Sequence, residues 1–141
     1  MTISLLVRRT VRAPIERVFA AWTDPEQLER WWGPKNVTCT AAEVDLRVGG
    51  AIRLANELPD GTTLWIEGTF EKIEPPHELV YTWLVGGGIH GPASRVRIRF
   101  VPKDGATEVI VQHDRIDSEA TRDNHEMGWL GCLDGLEALF G

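Results

Sequence analysis

The hydrophobic pattern changes period three times along this chain, and nothing else in the sequence constrains the fold as much. From residue 37 to residue 115 apolar and polar positions alternate with period two. The alternation falls into segments Val37 to Leu46, Ala51 to Glu57, Thr63 to Ile73, Glu78 to Val85, Ala93 to Pro102 and Thr107 to Arg115. Between them stand Gly49-Gly50, Pro59-Asp60-Gly61, Pro75-Pro76, Gly86-Gly87-Gly88 and Asp104-Gly105, residues that tolerate tight turns. Six strands with such short connections predict an antiparallel meander.

Helical spacing flanks this block on both sides. After a first strand over Ile3 to Ala13, Pro14 suits the opening turn of a helix in which Ile15, Val18, Phe19 and Trp22 recur at i, i+3, i+4 and i+7. Asp24-Pro25-Glu26 restarts the chain as a second short helix, with a capping carboxylate and proline at the first helical position; Gly33-Pro34 ends it. Beyond Asp117-Ser118, residues Glu119 to Phe140 return to helical period, and His125, Trp129, Leu133, Leu136 and Phe140 lie along one stripe. The order predicts an α+β fold: a seven-stranded curved antiparallel sheet, two short helices, and a long C-terminal helix that buries its stripe on one sheet face. At 141 residues this is one domain, 1–141, large enough to hide roughly two-thirds of its unfolded surface.

Several function classes are disfavoured. A net charge of -6 opposes nucleic acid as the main partner, since phosphate binding needs a basic face. The alternating arginines of Ser94 to Phe100 fit one solvated strand face instead. No run is long enough to insert in a membrane, and the basic residues of the N-terminus follow rather than precede its short apolar run, so a cytoplasmic location is expected. Cys39 and Cys132 are isolated thiols, read as buried small hydrophobes. No serine elbow, phosphate-cradling glycine loop or HExxH helix is present. The four histidines lack ligand spacing, and His113 and His125 converging would make a poor metal site, so neither metal nor cofactor is predicted. His90, in the glycine-rich turn, is expected to be solvated.

The pieces VRAPIERVFAAWTDPEQLERWWGP, EVDLRVGG, GTFEKIEPPHELVYTW, TEVIVQH and HEMGWLGCLDGLEALF, in this order over nearly the whole chain, resemble the START-like (SRPBCC) superfamily, and within it the homologues of the activator of heat-shock-protein-90 ATPase. That resemblance implies a helix-grip fold whose sheet and C-terminal helix enclose a deep hydrophobic cavity, open near the short helices. Superfamily relatives hold lipids, sterols, plant hormones and polyketides there, some as enzymes. Nothing in this chain resembles the separate N-terminal domain through which the eukaryotic activator makes much of its chaperone contact.

Candidate site residues follow from the pattern. Trp31 and Trp32 end the second helix at the predicted cavity mouth; adjacent helical residues point about 100° apart, so one faces the core and the other lines the entrance or covers a loop. The alternative is that both plug the gap between helix and sheet. His113 shares a strand face with Thr107, Val109 and Val111 and is expected inward, either satisfied by a backbone carbonyl or by a helix residue such as His125, or free to meet a ligand. His125 and Trp129 are one turn apart on the last helix, whose Gly128, Gly131 and Gly135 either allow close approach to the sheet or leave volume unfilled. Tyr81 and Trp83 alternate with Leu79 on a strand facing the cavity. The inward face around Trp65 and Glu67 is not assignable, because both faces carry apolar residues. The expected function is binding of a small hydrophobic molecule by Trp31, Trp32, Tyr81, Trp83, His113, His125 and Trp129. A co-chaperone domain marked by an exposed aromatic patch is the alternative, and a cyclase or hydrolase with His113 as general base a third. A homodimer is compatible with the pattern, although no stripe demands one.

Overall fold

The computed structural model describes residues 3–89 and 91–141, so the reading of His90 as solvated lies outside the described residues. Strand β1 (Ile3–Val11) leads into α1 (Ile15–Thr23) and α2 (Pro25–Trp31). Six strands follow: β2 (Thr38–Val44), β3 (Ala51–Glu57), β4 (Thr63–Glu74), β5 (Glu78–Val85), β6 (Ser94–Lys103) and β7 (Ala106–Ile116). The last element is α3 (Glu119–Leu139). The six are a meander, and β1 returns to pair with β7. All pairs are antiparallel, in the order β1-β7-β6-β5-β4-β3-β2.

Local chemistry accounts for the elements. In α1 the buried side chains are Ile15, Val18, Phe19, Ala21 and Trp22, which includes the whole predicted stripe. Asp24 caps α2 by accepting from the Glu26 backbone N–H, with Pro25 behind it where a missing N–H costs nothing. Ser118 caps α3 through the Thr121 N–H. On β7, Thr107, Val109, Val111 and His113 all face inward and are buried. On β4 the inward face belongs to Ile66 and Phe70, whereas Glu67 points out to Arg53 and Trp65 lies under the Arg53 guanidinium at 4.3 Å. Both cysteines are buried, as expected. No helix among the described residues is long and apolar enough to cross a membrane.

Helix α3 lies across the sheet with Trp129, Cys132, Leu133 and Leu136 buried. The interior under its C-terminal half is filled. Phe19, Trp22 and Phe100 meet edge to face at 5.5 to 5.9 Å, and Phe70 meets Tyr81 at 5.7 Å. Among the described residues a space opens toward the end of the sheet where β3 turns into β4 and α2 connects to β2.

Candidate functional site

A recess of about 360 Å³ opens at that end. The connection after α2 contributes Trp32, Pro34, Lys35 and Val37; the β3–β4 hairpin contributes Asn56, Leu58, Leu64 and Ile66. Trp83 and Val85 come from β5. Asn124, His125, Met127, Gly128, Trp129 and Cys132 come from the N-terminal part of α3. The wall is mostly hydrocarbon and indole, with Lys35 the one charged side chain on its rim.

The backbone at the end of α2 decides where the paired tryptophans go. Trp31 is the last helical residue and Trp32 is already extended, at φ -69 and ψ 140. The 100° divergence expected of two helical neighbours therefore does not apply, and both indoles turn inward, 3% and 4% exposed. Their roles differ. The Trp31 indole N–H donates to the Ala21 carbonyl at 2.8 Å and its ring sits 4.9 Å from Trp22, behind the recess wall. The Trp32 indole N–H donates to Asn56 Oδ1 at 3.2 Å and forms part of the wall.

A hydrogen-bonded relay ties the wall to the core. The Trp129 indole can only donate, and it donates to His113 Nδ1 at 3.0 Å, so the His113 proton sits on Nε2 and points at Ser94 Oγ, 2.6 Å away. The Ser94 hydroxyl in turn reaches the Trp83 carbonyl at 3.4 Å. The Trp83 indole donates to His125 Nε2 at 3.1 Å, which leaves His125 Nδ1–H to donate to the Thr121 carbonyl at 2.9 Å. His113 is thus satisfied by Ser94 and by a residue of the last helix, which is Trp129 rather than His125, whose ring centroid is 5.1 Å away. Burial, reinforced by neighbouring His125, lowers the His113 pKa to about 3. The ring is neutral near pH 7, with both nitrogens committed. Burial also raises the Cys132 thiol to about 12 and lifts the Tyr81 hydroxyl, which accepts from Trp22. These three groups are therefore uncharged near pH 7.

The glycines of α3 divide by position. A Cβ on Gly135 would collide with the Trp31 carbonyl oxygen, and one on Gly131 would lie 2.9 Å from Pro34 Cα. These two let α3 close on the end of α2 and the turn after it, rather than on the sheet. A Cβ on Gly128 would meet nothing within 4 Å, and Gly128 lines the recess.

Of the residues proposed from sequence, Trp32, Trp83, His125 and Trp129 line the recess together. Trp31, Tyr81 and His113 are buried behind it. The sequence reading missed Asn56. A signal was present, since Ile52, Leu54 and Asn56 alternate on one face of β3, which places an amide in line with two core residues. No group of three metal-ligating side chains occurs among the described residues.

Sheet, gripping helix and apolar recess together define a ligand-binding class of domain. The model of the family "Activator of Hsp90 ATPase homolog 1-like protein" matches residues 12–141, and the chain belongs to that family. Solved structures share its fold. Protein CV1439 from Chromobacterium violaceum is 25% identical, over 97% of this chain and 96% of that one, with a TM-score of 0.88. An AHSA1 protein from Silicibacter pomeroyi is 25% identical over 96% of both chains, at a TM-score of 0.84. CalU16 from Micromonospora echinospora is 28% identical over 98% of this chain and 76% of that one, at 0.76. No curated protein matches.

Proposed function

We propose that this domain binds a small, largely apolar molecule in the recess between the β3–β5 end of the sheet and the N-terminal part of α3. The supporting observation is the space itself, about 360 Å³ bounded by indole and aliphatic side chains and extended at Gly128, where the helix carries no side chain. That size lies at the lower end of the range typical of small-molecule sites. Burying about 200 Å² of apolar ligand surface contributes roughly 5 kcal/mol before the costs of association are subtracted. Apolar burial of that size corresponds to a Kd of about 0.2 mM at best, so tighter binding requires polar contacts or a larger buried area.

The chaperone reading predicts an exposed aromatic patch, which exposed indoles at positions 31 and 32 would favour, and both are buried. A general-base role for His113 requires a free nitrogen, and both are engaged. Ligand binding therefore has the stronger support. Titration of the protein with fatty acids, flavonoids and aromatic polyketides is expected to give a saturable change in tryptophan emission, because Trp32, Trp83 and Trp129 all border the space. Absence of any response, together with no thermal shift from any class, would rule the proposal out.

A further inference from the structure

We infer that Asn56 selects the ligand, and that the ligand carries a hydrogen-bond acceptor oxygen, such as a ketone or lactone carbonyl, on its apolar body. This inference rests on the ligand-binding reading above and adds the chemistry of the guest. Asn56 is 5% exposed and lines the recess. Its orientation is fixed by its neighbour: the Trp32 indole N–H needs an acceptor, so Oδ1 faces Trp32 and the Nδ2 amide faces the other way. Among the described residues Nδ2 has no hydrogen-bond partner, yet it is not sealed off from the space beside it. A buried donor left unmatched costs stability, so an amide held open at an apolar wall is a directional contact awaiting an acceptor.

The other polar groups on the wall are already engaged with protein. Both His125 nitrogens are bonded, to Trp83 and to Thr121, and the Trp32 indole N–H is bonded to Asn56 itself. Trp83 and Trp129 donate to His125 and His113. Asn56 is the deep donor still open, while Lys35 and Asn124 are exposed at the rim. A hydrocarbon guest would leave the Asn56 amide unsatisfied, and a guest whose only polar group is a donor would face another donor.

The test uses 9-fluorenone and fluorene, planar molecules of nearly the same shape that differ by one carbonyl oxygen. Wild-type protein is expected to bind fluorenone about three- to tenfold tighter than fluorene, the worth of one net hydrogen bond. Asn56→Asp keeps an oxygen for Trp32 and removes the donor, so at pH 8 the preference is expected to vanish or reverse. Asn56→Leu, which cannot place charge at the wall, is expected to remove it likewise. A measurement without mutation stands beside these: fluorenone, unlike fluorene, is expected to move the Asn56 side-chain amide resonances of the wild type in a nitrogen–proton correlation spectrum. Binding of both compounds with one ratio in wild type and variants, and unmoved amide resonances, would overturn the role of Asn56 while sparing the pocket. Binding of neither compound, lipid or flavonoid would overturn both readings.

Discussion

The two halves of the interior beneath α3 differ. Toward the C-terminus of the helix, Trp22, Tyr81, Phe100, Leu133 and Leu136 are packed without relief. Toward its N-terminus the same helix and sheet stand apart around a recess. The amino-acid classes are alike at the two ends, aromatic and aliphatic in both, so hydrophobicity does not separate core from pocket. Backbone proximity does. At Gly131 and Gly135 the helix is drawn against the chain from Trp31 to Lys35, and one turn earlier, at Gly128, nothing fills the space vacated. The pocket is a local departure from close packing, built next to a tight contact between α3 and the end of α2.

Breaking that tight contact is expected to give the largest effect. Gly135→Ala gains up to about 1 kcal/mol of helix propensity. Its new methyl, however, meets the Trp31 carbonyl oxygen, a backbone atom that cannot rotate away. Overpacking of this kind costs typically 1–3 kcal/mol or more, and relief requires α2 and α3 to separate. A net loss of about 2 kcal/mol is expected, read as a lower urea midpoint at unchanged slope. Unchanged stability would show that the approach of the two helices is not set by this glycine.

The second prediction concerns the relay that joins the halves. His113 is neutral in the fold with a pKa of about 3, whereas in the unfolded chain it titrates near 6.5. As pH falls below 6.5 the unfolded state takes up a proton that the native state refuses. Stability is therefore complete above that pH and declines toward pH 3, by up to about 1.4 kcal/mol per pH unit. Between pH 7 and 5 the wild type is expected to lose about 2 kcal/mol through this residue, seen as a falling urea midpoint. His113→Gln is expected to start lower, because a hydrogen bond is imperfectly replaced, and to decline less steeply. Parallel slopes for the two proteins would show that His113 does not carry the dependence.

The sequence made the periodic features legible and left the local breaks hidden. The stripe on α3, the inward set on β7 and the Asp24 cap could be read because each follows from a fixed repeat or a capping rule. Trp31 and Trp32 could not be read correctly, because the angle between neighbours holds only while the helix continues, and it stops between them. Trp65 defeated the period-two argument for another reason: an outward indole is covered by Arg53, so both faces of β4 look apolar. The resemblance pointed to a deep cavity, whereas the filled half leaves a recess at one end, with Tyr81, Trp31 and His113 behind it. Asn56 was legible in principle, since alternation placed it inward. That its Nδ2 is unmatched depends on where the Trp32 indole lands, and no spacing rule supplies that.

The smallest expected change in stability falls at Gly128, where the comparison is sharpest. Alanine there meets no atom within 4 Å, so the overpacking that penalises Gly135→Ala is absent and only the propensity gain remains. Gly128→Ala is therefore expected to stabilise the protein by up to about 1 kcal/mol, opposite in sign to the same change two turns later. Gly128→Leu carries the contrast into function. Its side chain can enter the recess without displacing core residues, so stability should stay near wild type while affinity for any guest of the pocket falls by at least about tenfold, the equivalent of roughly 1.4 kcal/mol. Calorimetric titration beside thermal unfolding separates the two quantities. If leucine at this position left affinity intact, the space at Gly128 would not be where the guest sits, and the open half of the interior would need another explanation than ligand binding.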